Sequence, residues 1–187
     1  MSKGKLFVIS GASGVGKSTV LAKVMEARKD LRFSVSATTR QPRPGEVDGV
    51  SYYFATKEAF QQMIDENTML EYDFHNETYY GTPAGQLEEK LQSGHVMLDI
   101  EPNGAFNVRA ARPDATLIFI LPPSFEELER RLRSRGDTSE EQMRLRLDRA
   151  KWEMEQSKKY DFVVVNDDVQ RCADEILNII SRKAEKE

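Results

Sequence analysis

Residues 6–19 read LFVISGASGVGKST, and this stretch limits the fold more than any other in the chain. Leu6, Phe7, Val8 and Ile9 are apolar on both faces of an extended backbone, the pattern of a central strand covered by helices. The run stops at Gly11. From Lys17 onward the period changes, and Val20, Leu21, Val24 and Met25 recur at helical spacing. A strand therefore passes into a helix through a turn that carries Gly11, Gly14 and Gly16.

Gly11, Gly16, Lys17 and Ser18 fit the pattern G-x-x-x-x-G-K-[ST]. Glycine lets successive backbone N–H groups turn inward and removes side chains that would block a phosphate. The helix start adds unsatisfied N–H groups and the positive end of a dipole. Lys17 would neutralise β- and γ-phosphates, and the Ser18 hydroxyl would reach Mg²⁺. Gly11, Ala12, Ser13, Gly14, Val15, Gly16, Lys17, Ser18 and Thr19 are thus expected to cradle a nucleoside triphosphate. The bland alternative, a glycine-rich turn with a solvated lysine, does not explain the strand before it and the helix after it. The loop says nothing about the acceptor.

The sequence has 187 residues, enough for one domain with insertions and a real core. A net charge of -4 gives no global attraction to nucleic acid or to an anionic membrane. The single cysteine cannot form an internal disulfide, which suits a reducing compartment. The opening MSKGK runs straight into the first strand without a signal peptide, and no apolar run approaches membrane-spanning length. A cytoplasmic location is expected.

Further strands with a buried look are 96–100, Thr116–Leu121 and Phe162–Val165, with helical stretches between them. This alternation predicts a parallel sheet flanked by helices. In the last helix Val169, Cys172, Ala173, Ile176, Leu177 and Ile180 form one apolar stripe, so Cys172 reads as a core residue. Residues 32–85 interrupt the pattern with short polar strands rich in Ser, Thr and Tyr around a short helix (Ala59, Phe60, Met63, Ile64). They read as an inserted, mostly antiparallel lobe. Residues 130–149 carry seven arginines. There Gly136-Asp137 should break one helix, and Thr138 to Glu141 has capping-box spacing for the next. In that next helix Arg146 borders the apolar face of Met143, Leu147, Ala150 and Met154, whereas Arg130, Arg144 and Arg149 read as solvated. Arg135 and Arg146 flank the break, where a mobile lid would hinge.

The segment TTRQPRPGE sets Arg40 and Arg43 three apart on a proline-stiffened loop, a spacing suited to clamping a phosphate dianion. Tyr52 and Tyr80 could donate to the same group. An ordinary solvated loop is the alternative. In order along the chain, the glycine loop, SATTRQPRPGE, EYDFHNETYYGTP, MLDIEPNG, RLRSRG and VVVNDD together resemble guanylate kinase of the bacterial type, from end to end.

That resemblance implies an α/β P-loop kinase fold whose core is residues 1–33, 85–125 and 155–187. It also implies a GMP-binding lobe at about 34–84 and a lid at about 126–154. The implied activity is ATP + GMP → ADP + GDP with Mg²⁺, the substrates being ATP and GMP, with dGMP an open alternative. Ser36, Glu71 and Thr82 match the positions that read guanine, whose N1–H and 2-amino groups a carboxylate can accept. Arg40, Arg43, Tyr52 and Tyr80 match the monophosphate clamp, and Glu46 in the same loop has no assigned role. Asp99 matches an acid placed for Mg²⁺, partly through water, and for GMP. The family commonly reads D-I-D followed two residues later by Q-G, where this chain has Asp99, Ile100, Glu101, Pro102, Asn103, Gly104. Glu101 keeps the charge with one more methylene, so its contact with GMP is an open point. Lys17, Arg40, Arg43, Arg135 and Arg146 match the catalytic set. Arg135 and Asn166, with Asp167, match positions at ATP. Two rivals stand beside this reading: a guanylate-kinase-like scaffold module without catalysis, and a kinase for another monophosphate. The intact Gly16-Lys17-Ser18 argues against the first, and the base-reading residues against the second.

Overall fold

The structure is a computed structural model that describes residues 4–75, 77–134 and 139–185. It is an α/β fold with a parallel five-stranded sheet of order β2-β7-β1-β8-β9 and a mixed four-stranded sheet of order β4-β3-β6-β5. The named strands are β1 (Leu6–Gly11), β2 (Leu31–Phe33), β3 (Ala37–Thr38), β4 (Tyr53–Phe54), β5 (Met69–His75), β6 (Thr78–Pro83), β7 (His95–Asp99), β8 (Thr116–Leu121) and β9 (Phe162–Val165). The chain divides into two compact units, one of Met1–Val8 and Asp30–Ala115, the other of Ile9–Lys29 and Thr116–Glu187.

In the first unit β2 pairs with β7 in parallel, Leu31 opposite His95. The four-stranded sheet has two antiparallel pairings, β3 with β6 and β5 with β6, and one parallel pairing, β3 with β4. The helix α2 (Lys57–Asp65) is capped by Thr56, whose hydroxyl accepts from Ala59 N–H, and it buries Phe60 completely. Phe60 stacks on Tyr79 of β6 at 5.2 Å between ring centroids, and Tyr79 meets Phe74 at 4.6 Å. These aromatic contacts give the polar insert an apolar anchor. The helices α3 (Ala84–Ser93) and α4 (Pro102–Ala111) complete the unit, with Leu87, Leu91 and Val108 buried.

In the second unit the helix α1 (Lys17–Ala27) buries Val20, Leu21 and Val24. The helices α5 (Phe125–Arg133) and α6 (Glu140–Gln156) lie on either side of residues 134–139, and α7 (Val169–Ala184) follows β9. Every side chain of β8 up to Ile120 is buried, as its unbroken apolar run requires. The strand β9 departs from the buried expectation. Val164 is buried, but Val163 and Val165 are each 42% exposed, because successive residues of a strand point to opposite faces and only the Val164 face is covered. α7 buries Cys172, Ala173, Ile176, Ile179 and Ile180. Burial pushes the Cys172 thiol up to about 12, so it is an inert core group. The cap of α6 is Ser139, whose hydroxyl accepts from Gln142 N–H, one residue later than the expected Thr138. Thr138, Gly136, Asp137 and Arg135 lie outside the described residues.

Candidate active site

The glycine loop belongs to the second unit. Gly14 and Gly16 have φ of +89° and +91°, backbone that side chains rarely adopt. Gly16 is also the N-cap of α1, and a Cβ there would lie 2.8 Å from the Asn166 amide nitrogen. Lys17 opens the helix, and Ser18 and Thr19 follow it, both exposed. The first N–H groups of a helix have no intrahelical acceptor, so this turn presents donors for an anion.

Side chains from distant parts of the chain hold the loop in shape. The Asn166 amide donates to Val15 C=O at 2.7 Å, and Arg131 donates to the same carbonyl at 3.1 Å and to Asn166 C=O at 3.2 Å. Arg131 is oriented in turn by Glu127, one helical turn back, at 2.8 Å. On the other side of the loop Ser13 N–H donates to Glu153 Oε2 at 3.1 Å. Asn166, expected near the nucleotide, is buried and stabilises the loop backbone. Asp167 beside it is exposed and pairs with Arg171, which holds its carboxyl down at about 2.

Arg146 lies half-buried on α6. Arg149, expected to be solvated, instead pairs with the buried Glu153 at 3.0 Å and lies over the Trp152 ring at 4.6 Å. Residues four apart on a helix meet on one face, and the buried carboxylate draws the guanidinium inward. Arg130 and Arg144 are exposed, as expected. Arg131 and Glu153 were missed by sequence reasoning. Nothing distinguishes Arg131 among seven arginines, and a glutamate within a charged helix reads as solvated.

The first unit gathers the other candidate residues. Register sets three of them in a row: Glu71 is opposite Thr82, and Ala37 opposite Gly81 brings the preceding Ser36 level with Thr82. All three are buried. Glu71 is 6% exposed, and the Thr82 hydroxyl donates to its Oε1 at 2.7 Å. Burial pushes the Glu71 carboxyl up to about 7; the Thr82 bond opposes that rise and Asp73 adds to it. Its other oxygen lies against Gly104, where a Cβ would come within 2.9 Å. A glycine at 104 thus leaves room for the carboxylate against α4, a close approach that the residue type alone does not reveal. Next to it, Asn103 donates to Asp73 at 3.3 Å and Asn107 to Tyr72 C=O at 3.2 Å, so the unusual Pro102-Asn103 pair still ties α4 to β5. Asp99 ends β7 and Glu101 caps α4 through its carbonyl, which accepts from Ala105 N–H; both are half-buried.

The loop after β3 is closed by Glu46. Its carboxylate accepts both ends of the Arg40 guanidinium at 2.8 and 2.9 Å and Arg43 N–H at 2.7 Å. Arg40 holds the Glu46 carboxyl down at about 2, helped by that N–H, and Glu46 in turn raises the guanidinium above its ordinary value. Arg40 also lies 5.3 Å from the Tyr52 ring, which meets Tyr80 at 6.1 Å. Three of the four expected clamp residues are therefore together. Arg43 is exposed on the same turn, whose Gly45 has φ of +86°.

Comparison with known proteins matches this arrangement. The sequence model of the guanylate kinase family spans residues 3–183. The chain is 49% identical over 179 residues to guanylate kinase of Oceanobacillus iheyensis, covering 95% of this chain and 87% of that one. It is 48% identical over 180 residues to guanylate kinase of Thermus thermophilus, covering 96% and 81%. The crystal structure of guanylate kinase from Anaplasma phagocytophilum superposes with a TM-score of 0.82 at 33% identity, covering 99% of this chain and 88% of that one. With a buried carboxylate beside Thr82 and Gly104, an arginine loop closed by Glu46, a braced glycine loop and homologues matched almost end to end, the chain belongs to the guanylate kinase family.

Proposed function

We propose that this guanylate kinase divides its substrates between the units, ATP on the glycine loop of the second and GMP on the lobe residues of the first. Guanylate kinase activity is ATP-dependent phosphorylation of GMP. The observation that carries the assignment of the acceptor is the buried Glu71, held by Thr82. A carboxylate accepts guanine N1–H and the 2-amino group together. Adenine would leave the carboxylate buried and unmatched, which is costly.

Arg40, Arg43, Tyr52 and Tyr80 grip the GMP phosphate in this reading, with Ser36 and Thr82 completing the base site and Asp99 and Glu101 at its edge. Glu46 holds Arg40 before substrate arrives, which lowers the entropy of forming the clamp. An oxygen of the GMP phosphate attacks the γ-phosphorus of ATP in line. The bond to the β–γ bridging oxygen breaks, and ADP leaves. The nucleophile is already an anion, so no general base is required. The protein contributes position and opposing charge. Lys17, Arg146 and Arg135 supply that charge, Arg135 by the family match alone.

Among the described residues no group of three or more His, Cys, Asp or Glu could hold a metal by itself. That suits an ion carried in by phosphates, since Mg²⁺ is commonly bound by one or two side chains plus phosphate oxygens. The exposed Ser18 hydroxyl would hold it, with Asp99 acting through water. When bound, Mg²⁺ neutralises charge on the β- and γ-phosphate oxygens. Among the described residues no helix is long and apolar enough to cross a membrane.

The test is ADP formation in a coupled assay with MgATP and GMP, dGMP, AMP or dTMP in turn. GMP is expected to exceed AMP and dTMP in kcat/KM by at least about a thousandfold. Comparable rates with AMP would overturn the assignment of Glu71.

A further inference from the structure

Glu153 is a carboxylate with only 3% exposure, and none of the steps above uses it. It sits on α6, seven residues beyond Arg146, which places the two on the same side of the helix. One oxygen accepts from Ser13 N–H inside the glycine loop, and the other accepts from Arg149 Nε. Val15 N–H is turned back on Ala12 C=O. Two N–H groups of the loop are therefore committed to holding its shape, and the helix start is left to offer donors to phosphate. A negative group beside a triphosphate site would repel its ligand. Arg149 cancels that charge at contact distance.

We infer that Glu153 is a positioning residue for ATP: through its bond to Ser13 N–H, α6 fixes the backbone geometry of the phosphate loop, and Arg149 keeps the carboxylate from opposing the triphosphate. The bond also makes the loop's shape depend on the helix that carries Arg146. A chain in which α6 shifts loses the acceptor for Ser13 N–H, and the loop then samples conformations that do not match phosphate. This inference rests on the reading that the glycine loop holds ATP.

The experiment measures Kd for MgADP and, separately, for GMP by titration calorimetry, on wild type and on Glu153→Gln, Glu153→Asp, Glu153→Ala and Lys17→Ala. Gln keeps the reach and can accept from Ser13 N–H, while the half-exposed Arg149 can turn to solvent. Asp keeps the charge but is one methylene too short. Positioning therefore predicts that Gln stays within about threefold of wild type for MgADP, while Asp and Ala weaken it roughly ten- to a hundredfold. GMP affinity should stay within about twofold throughout. The inference is overturned by the reverse order, with Asp close to wild type and Gln impaired, because the ion pair with Arg149 would then be what matters. Parallel loss of GMP binding overturns it too, since the role would be general stability. If Asp and Ala do not fold, Gln alone decides, with a loss above about tenfold counting against the inference. Wild-type protein that fails to bind MgADP, or binds it equally well after Lys17→Ala, refutes the assignment of ATP to the loop, a result distinct from any order among the Glu153 variants.

Discussion

A guanine-reading carboxylate must be ionised to accept two donors, yet burial holds the Glu71 carboxyl at about 7 in the free protein. GMP binding should therefore expel a proton from Glu71. At pH 6 about 9% of the protein carries Glu71 ionised, and at pH 8 about 91%. The apparent affinity scales with that competent fraction, so this group alone should weaken GMP binding about tenfold from pH 8 to pH 6. The GMP phosphate has a second pKa of about 6 and adds a pH dependence of its own. Glu71→Gln separates the two, because the variant keeps only the phosphate contribution. Calorimetry at pH 6 in buffers of different ionisation enthalpy counts the protons directly. Wild type should release about 0.9 proton more per GMP than the variant. The same shift affects stability. A carboxyl raised above its unfolded value contributes stability that is fully present below pH 4.5 and is lost as pH rises through about 7. The loss amounts to roughly 2–4 kcal/mol, and GMP at high pH should restore part of it. Equal proton release from wild type and variant, or an affinity that is flat between pH 6 and pH 8 after the phosphate is subtracted, would refute the assignment of Glu71 to the base.

Lys17→Ala should lower kcat by at least about a hundredfold while the thermal midpoint and the GMP Kd remain near wild type, because Lys17 pairs with the β- and γ-phosphates and the charge it meets grows during transfer; near-normal turnover in the coupled assay would remove Lys17 from catalysis. Arg43→Ala should raise KM for GMP about tenfold and KM for ATP little, since the exposed Arg43 belongs to the turn that Glu46 closes; equal changes in both constants would contradict its place in the clamp.

Much of the fold is written in apolar runs. The limits of β8 and β9 follow from runs that begin and end abruptly, and the stripe of α7 from its period. The polar insert is marked by Ser, Thr and Tyr, and its helix by Phe60 and its neighbours. Leu31–Phe33 gave no strand signal, because three residues with a charge in the middle carry no period and only pairing with β7 makes them a strand. The exposed face of β9 depends on what covers each side of the sheet, which an unbroken apolar run does not encode. The candidate site divides in the same way. Glycine spacing and the TTRQPRPGE segment are local and could be read directly. Tertiary bonds are not local, so Arg131, Glu153 and the Gly104 approach to Glu71 were invisible. Arg149 stays half-exposed, but its pairing with Glu153 could not be read because that partner itself looks exposed in the sequence.

The glycine loop is made early and finished late. The groups that brace it lie far along the chain: the bond from Arg131 spans 116 residues, that to Glu153 spans 140, and that from Asn166 spans 151. At synthesis rates of about 5–20 residues per second, Val15 is made roughly 8–30 s before Asn166 exists. Until their partners are made, Ser13 N–H and Val15 C=O have only water to satisfy them. Closing such long spans is slow, because the entropy of bringing the ends together is lost before any of the three bonds repays it. The nascent chain therefore carries the glycine-loop sequence well before it has the geometry, which is complete only once Asn166 has been made.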